Sequence, residues 1–446
     1  MKPLDIKSIF FQKKNASYPK NKSVSTFHFS LLTFHFPLFT FHFSLLVFSF
    51  SFFTFHFVNA QSLDDYLNIA LTNNPEIQKF EKQYGIASEK VNEVNAIPNT
   101  DFSAGYFVSE PETRTGPQRF KLSVKQMIPW FGSISARENY VSALADAKYE
   151  DIVITKRKLM ALVSQSYYNL YANKAKQNVL VKNIDLLKTY ETMALTLVEV
   201  GKASAVDVLR LQMRQNEIQQ LKDVLQQQFL AEQTNFNKLL NRDKNMVVGV
   251  IDELNIPLKD FEVYTDSLTT HPELVKFDKL YESVTQSELL NQKDKSPMIG
   301  FGLDYINVAK RTDMTMIDNG KDIVMPMVSV SIPIFNKKYK SKTRQNKLQQ
   351  EEITFQKSER LNTLETRLDK AITNRQSARI SYATQRKNLE QANNAESILI
   401  KNYETGTINF NDVLDIQELR LKFQIQQIES VKSYYEQSTL INYLIQ

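Results

Sequence analysis

Two stretches in the first half of the chain alternate between apolar and polar residues. In residues 119–127, Phe120, Leu122 and Val124 alternate with polar side chains, and residues 101–109 carry apolar side chains at every second position. A period of two is typical of a β-strand with one apolar face, and the Gly and Pro residues between the stretches indicate a turn. The pattern predicts a β-hairpin over residues 101–127.

The second half of the chain repeats this pattern. Ile299, Phe301 and Leu303 lie on one face of a predicted strand, and Val328 and Val330 alternate with serines in another. This predicts a second hairpin over residues 299–333. Strands of about 9–10 residues cross a bilayer when tilted, but they must then close into a barrel, and four strands are too few. The chain must contribute its hairpins to an oligomer, or the hairpins lie on the surface of a soluble protein.

After each hairpin the sequence becomes helical over an unusual length. Residues 336–446 contain no proline and one glycine, Gly406, and residues 130–256 contain no proline and three glycines. Gly and Pro are the strongest helix breakers. We therefore expect about 70 residues before Gly406 and about 40 after it to form two helices, the first roughly 100 Å long. Their apolar stripes and polar remainder are typical of helices that pack side by side and keep one hydrated face.

The two halves of the chain are related by an internal duplication. Matched residues recur in the same order at separations of 197 to 205 residues, as four pairs: Pro75 and Pro272, Pro129 and Pro333, Gly201 and Gly406, and Asp207 and Asp412. Ordered matches over about 200 residues predict two copies of one unit. We assign residues 61–243 to the first repeat, residues 244–266 to a linker and residues 267–446 to the second repeat.

Residues 1–60 differ from the rest. Residues 1–25 are basic and polar, and residues 26–60 form five Phe-rich heptads that end in Val58-Asn59-Ala60. This order predicts a cleaved secretory signal, and a retained membrane anchor is the alternative. Most of the net charge of +6 lies in this leader, so a nucleic-acid partner is not expected. The chain has no cysteine, which excludes a lipid anchor on cysteine and Cys-based metal sites.

These features together resemble the outer membrane factor family, the TolC-type efflux proteins of Gram-negative bacteria. The resemblance rests on the Leu-Thr-x-x-Pro-Glu motif at Leu71 and Leu268, on hairpins that end in Ile-Pro-x-Phe, and on the Gly-x5-Asp-Val-Leu turns at Gly201 and Gly406. It covers residues 61–446. It implies a mainly α-helical fold with a membrane β-barrel portion. In that fold, duplicated long helical hairpins form a trimeric α-barrel tunnel, and each chain gives four strands to a 12-stranded outer-membrane barrel.

The resemblance implies a passive exit duct without a cofactor. The duct would be a homotrimer in outer-membrane lipid, with its helical part in the periplasm. A periplasmic adaptor protein would join it to an inner-membrane exporter of the RND type. Such a system exports heavy-metal ions, drugs or, in type I secretion, proteins, and the cargo stays open.

The resemblance also assigns roles to residues of the two turns. Asp412 and Asp415 match an acidic pair that narrows the periplasmic aperture, and their spacing of three residues puts them on one helix face. Tyr403 and Asp207 match a hydrogen-bonding pair that helps to close the aperture. A basic residue that some members use here is replaced by Ile408. The residues that match the adaptor-contacting tips are Val200, Gly201, Thr405 and Gly406. Asp412 alone also fits a first-turn acid that the helix dipole stabilises.

Other functions have less support. Outside the leader the only histidine is His271, which precedes a proline at a helix start, where capping is its expected role; the chain has no Gly-rich phosphate loop. An enzyme is therefore not expected. The alternative to a duct is a periplasmic coiled-coil structural or adaptor protein. For the cargo, residues 325–333 are similar to members paired with heavy-metal exporters. Thioethers suit Cu(I), although methionine at such positions also serves packing; the methionines concerned are Met127, Met314, Met316, Met325 and Met327.

Overall fold

The computed structural model describes residues 62–263 and 265–445. The predicted leader, residues 1–60, lies outside the described residues. The segment that we assign to the first repeat contains, in chain order, α1 (Leu63–Asn73), α2 (Pro75–Val94), β1 (Thr100–Tyr106), β2 (Glu112–Thr113), β3 (Gly116–Ile128), α3 (Ser133–Glu199) and α4 (Ala205–Leu239). A 3-10 helix (Thr265–Thr270) spans the boundary between the linker and the segment assigned to the second repeat. That segment continues with α5 (Pro272–Lys293), β4 (Met298–Val308), β5 (Ile323–Ser331), α6 (Lys337–Glu404) and α7 (Phe410–Ile445).

The long helices form where proline and glycine are missing. Helix α3 has 67 residues and α6 has 68, so each is roughly 100 Å long. Helix α3 packs against α1, α2, α4, α5 and α7, whereas α6 packs against α5 and α7. The predicted mainly α-helical class with two hairpins is confirmed. Every helix in the described ranges is too short or too polar to be a membrane span.

The two hairpins join into one antiparallel sheet with the strand order β1-β3-β4-β5. The central pair, β3 and β4, comes from different repeats and places Val124 opposite Leu303 and Ser123 opposite Asp304. The register puts apolar residues of all four strands on one face, among them Phe102, Leu122, Phe301, Leu303, Val324, Val328 and Val330. These seven side chains are exposed in the single chain. The other face carries polar residues, including an ion pair between Lys121 and the fully buried Asp304.

Short helices meet long ones end to end where the helical region is interrupted. The side-chain nitrogen of Asn74, which caps α2, donates to the carbonyl of Leu239 at the end of α4, at 3.1 Å. In the second repeat His271 caps α5, and its ring contacts the ring of Tyr443 near the end of α7, with centroids 5.4 Å apart. Each junction has its own apolar core. The short helices therefore continue the line of α4 and α7 beside α3.

The linker lies along the helices and is held by tyrosine hydroxyls. The hydroxyl of Tyr167 accepts from the backbone N–H of Ile251 at 3.2 Å, and that of Tyr171 accepts from Leu254 at 3.1 Å. These bonds satisfy backbone groups of a segment that has no strand partner. The linker is thereby fastened to the middle of α3.

Candidate functional site

The two helical turns have the same backbone geometry. Gly201 has a φ of 69° and Gly406 a φ of 75°, in the left-handed region that glycine adopts at a helix end. The N–H of Lys202 donates to the carbonyl of Leu197, and the N–H of Thr407 donates to that of Asn402, at 2.8 and 3.0 Å. Each bond spans five residues, as in a Schellman motif. The two turns that the proposed duplication matches therefore share the same hydrogen-bond pattern.

One apolar cluster holds the two turns together. Tyr403, at the end of α6, and Phe410, at the start of α7, contact each other with ring centroids 4.7 Å apart. Tyr190 of α3 contacts Phe410 edge-on at 6.3 Å. Leu211 of α4 is fully buried in the same cluster, and Ile408 packs against it. Ile408, which stands where some members of the family have a basic residue, thus makes an apolar contact with this cluster.

Tyr403 and Asp207 are neighbours, but no hydrogen bond joins them. The hydroxyl of Tyr403 is buried and has no hydrogen-bond partner among the described residues. Burial, followed by the nearby charge of Asp207, raises the pKa of Tyr403 to about 12. The carboxylate of Asp207 instead accepts from the N–H of Ser204 in a capping box that starts α4. The predicted aperture-closing role of the pair stays a prediction.

A bond that the sequence reasoning missed connects the turns. The guanidinium of Arg210 on α4 donates to the side-chain oxygen of Asn411 on α7. Arg210 occupies the position in the first repeat that Asp415 occupies in the second. This difference between Arg210 and Asp415 at matched positions was the feature of the sequence that could have indicated the bond.

Asp412 and Asp415 are both exposed on the first turns of α7. Between them Val413 is fully buried in the cluster, so the helix presents the two carboxylates away from the core of the chain. Neither carboxylate forms an ion pair with another described residue. The structure of the single chain thus leaves two unneutralised negative charges beside the second turn.

The tips of the two turns are open surface. Val200 is 63% exposed, and Gly201, Thr405 and Gly406 are exposed too. A Cβ added to either glycine would meet no other atom within 4 Å. Both tips therefore present a backbone that a partner can approach, as the adaptor assignment requires.

Above the turns, a buried polar network links three helices. Glu396 of α6 accepts from the hydroxyl of Tyr190 at 3.0 Å and from the guanidinium of Arg420 at 2.7 Å. Asn183 of α3 accepts from the side-chain amide of Gln417 on α7 at 3.1 Å. Burial and the adjacent Glu396 raise the pKa of Tyr190. This network fixes the relative register of α3, α6 and α7, and nothing in the sequence pattern had pointed to it.

Comparison with solved structures places the fold. CusC is 12% identical, with a TM-score of 0.70 over 86% of this chain and 91% of CusC. VceC, an outer membrane protein of Vibrio cholerae, is 15% identical, with a TM-score of 0.67 over 86% of this chain and 95% of VceC. MtrE, an outer membrane channel of Neisseria gonorrhoeae, is 13% identical, with a TM-score of 0.66 over 86% of this chain and 88% of MtrE.

This chain has the fold of the TolC-type outer-membrane channels. No protein-family model matches its sequence, and no curated protein matches it either. The predicted resemblance is confirmed at the level of the fold, over almost all of the chain beyond the leader.

Proposed function

We propose that the protein is the outer-membrane channel of a tripartite efflux system, a passive duct and not an enzyme. The observation that carries this proposal is the sheet whose main strands are β1, β3, β4 and β5. Its apolar face is exposed, with Phe102 at 80% and Val328 at 71%, and its opposite face holds the ion pair of Lys121 with Asp304. A large exposed apolar face marks a contact with lipid or protein, and alternation of apolar and polar faces is the pattern of a membrane barrel.

The open edges of the sheet support a homotrimer. Within the described residues, β1 pairs only with β3 along its length, and β5 pairs only with β4. Free edges cannot face lipid, because each unpaired backbone group would cost several kcal/mol. Three copies that join β1 of one chain to β5 of the next would close a barrel of twelve strands. The helical part has matching free flanks, since Leu209 and Met213 of α4 and Phe355 of α6 are exposed.

The turns then form the end of the duct in the periplasm. Threefold symmetry would bring six carboxylates from Asp412 and Asp415 to one ring, which would attract cations and raise proton affinity. Val200, Gly201, Thr405 and Gly406 would contact a periplasmic adaptor protein, which joins the duct to an inner-membrane exporter of the RND type. The exposure of these tips supports that assignment.

For the cargo, the placement of methionines favours heavy-metal ions over drugs. Met127, Met325 and Met327 all lie on the polar face of the sheet, which would line the barrel. The sulfur of Met127 lies over Gly300, where it accepts from the hydroxyl of Ser329 at 3.9 Å. Thioethers are good ligands for Cu(I). A deletion strain with unchanged tolerance to copper, silver, zinc and cobalt would remove the metal assignment and leave drugs as cargo.

Two measurements on the detergent-solubilised protein test the duct. Electron microscopy should show a tube with threefold symmetry, and reconstitution into planar bilayers should give ion-conducting pores. A monomer that fractionates with soluble periplasmic proteins and forms no pores would reject the duct. It would favour the coiled-coil structural or adaptor protein instead.

A further inference from the structure

Four large apolar side chains are exposed where the strands meet the long helices. Trp130 and Phe131 follow β3, and Ile334 and Phe335 follow β5, with exposures of 39%, 81%, 78% and 89%. Both pairs lie at the same end of the sheet, between a strand and the helix that follows it. In membrane barrels, aromatic residues form girdles at the level of the lipid headgroups.

A basic segment starts directly after Phe335. Between Asp322 and Glu351 the sequence contains six basic residues and no acidic one. The side chains of Lys337, Lys338 and Lys340 are exposed on the first turn of α6, and none of the three forms an ion pair with another described residue. Arg344 continues the same exposed stripe one turn further along the helix. This segment therefore concentrates positive charge that no carboxylate of the described residues neutralises.

The position of these lysines opposes the helix dipole. Cations are disfavoured near a helix N-terminus, where acidic residues are stabilising. Helices α1, α2, α4, α5 and α7 each have an acidic residue in the first turn. Helices α3 and α6 have none, and only α6 has lysines there. Three lysines at this end are unfavourable for the isolated helix, so an external anion would relieve the repulsion.

The duplication shows that the fold does not require these charges. Helix α3 starts at the matched position of the first repeat, and its residues 133–136 are Ser, Ile, Ser and Ala. The same strand-to-helix junction therefore forms without basic residues. Only the second repeat combines exposed apolar side chains with a basic first turn.

We propose that Phe335 with Lys337, Lys338 and Lys340 forms a binding site for anionic phospholipid headgroups. This inference rests on the proposed function, since the barrel orientation puts the junction at the periplasmic leaflet of the outer membrane. The apolar side chains contact the acyl region, and the three ammonium groups lie at the level of the phosphates. Basic residues near an anionic lipid surface each strengthen binding about fivefold.

Trp130, the only tryptophan of the chain, lies at the same end of the sheet as Phe335, so its emission reports lipid contact at this end of the sheet. The experiment titrates the full-length protein in neutral detergent with phosphatidylglycerol or phosphatidylcholine. It follows Trp130 emission and counts bound lipids by native mass spectrometry. We expect phosphatidylglycerol to bind at least about tenfold more tightly than phosphatidylcholine. The triple variant Lys337→Gln, Lys338→Gln, Lys340→Gln should lose this preference, and 0.5 M salt should weaken it in the natural protein.

The matched control changes three exposed lysines further along α6: Lys370→Gln, Lys387→Gln and Lys401→Gln. It removes the same charge and should keep the preference. Equal binding of the two lipids to the natural protein, or a preference that survives the first triple variant, would overturn the lipid site. Pore formation in neutral bilayers is measured on the same samples. Pores without lipid preference reject only the lipid site, whereas lipid preference without pores rejects only the duct.

Discussion

The guanidinium of Arg210 and the side-chain oxygen of Asn411 form a hydrogen bond between the first and the second helical hairpin. The bond lies beside Asp412, next to both turns. Helices α4 and α7 approach each other over a short length only, and near the tips this bond joins them beside the apolar cluster that both helices share. Arg210 thus places a basic side chain near the turns, although the basic residue that some members of the family have at the position of Ile408 is missing here.

In the proposed duct, Arg210→Ala should loosen the end that the two helical turns form. The loss of a hydrogen bond to a charged donor costs about 1.5 kcal/mol, which corresponds to roughly a tenfold rise in the open population. Single-channel recording in planar bilayers measures this rise. Arg214→Ala is the control, because Arg214 pairs with Glu217 on its own helix at 2.8 Å. Equal conductance of Arg210→Ala and the natural protein would contradict the role of the bond.

Glu396→Leu should destabilise the helical region strongly. It removes the carboxylate partner of Arg420, whose half-buried guanidinium loses its bond of 2.7 Å. Removing one partner of an ion pair that is shielded from water costs up to about 3–5 kcal/mol. Thermal unfolding followed by circular dichroism measures the effect. Tyr190→Phe, which removes only the neutral donor, should cost about 1 kcal/mol.

The double variant Glu396→Leu, Arg420→Met separates charge from packing in the same network. If the penalty comes from the unpaired guanidinium, the double variant should recover most of the stability that Glu396→Leu loses. A double variant as unstable as the single one would show that the network matters through its shape.

The long helices, the hairpins and the turns follow from local signals in the sequence. Missing proline and glycine, a period of two and a left-handed glycine each act within a few residues, so they can be recognised without knowing the neighbours. The bond of Arg210 to Asn411 and the network around Glu396 depend on which helices become adjacent, and no local pattern encodes that. Asp207 is a different case. Its carboxylate caps the start of α4, which is a local role, and this role competes with the hydrogen bond to Tyr403 that the resemblance had implied.

His271 should make the stability depend on pH. Burial lowers the pKa of His271 to about 4. The positive charges of Arg157 and Arg360 act in the same direction, and the negative charge of Glu273 opposes them. The folded state therefore favours neutral histidine. The contribution of neutral His271 to the free energy of unfolding is complete above the ordinary pKa of about 6.5. It is lost as the pH falls from about 6.5 towards 4, and the free energy of unfolding decreases by about 2–3 kcal/mol.

His271→Asn tests this dependence, because Asn74 is the cap at the matched position of the first repeat and accepts from the N–H of Glu76 at 2.9 Å. The variant should keep the cap and lose the extra acid sensitivity. Melting temperatures are compared between pH 7.5 and 4.5 for both proteins. Parallel pH profiles would mean that other groups, such as Glu273, determine the acid response.

Phe102→Lys and Ser103→Lys should differ although the residues are adjacent. Both are exposed in the single chain, and they lie on opposite faces of β1. A lysine on the lipid face of a barrel costs about 2–4 kcal/mol at mid-bilayer, whereas one facing the lumen is tolerated. Phe102→Lys should therefore reduce insertion into liposomes, and Ser103→Lys should insert normally. Equal behaviour of the two variants would favour surface hairpins on a soluble protein.

Asp412→Asn with Asp415→Asn tests whether the exposed carboxylates line the narrow end of the duct. If six carboxylates meet there, they select cations, since a ring of one charge sign sets the selectivity of a pore. The double variant should reduce the preference for potassium over chloride several-fold, as read from the reversal potential in a salt gradient. Asp369→Asn, an exposed site on α6 far from the turns, should leave the reversal potential unchanged. An unchanged reversal potential in the double variant would place these carboxylates away from the conduction path, and Asp412 would then be a first-turn acid that stabilises α7 through the helix dipole.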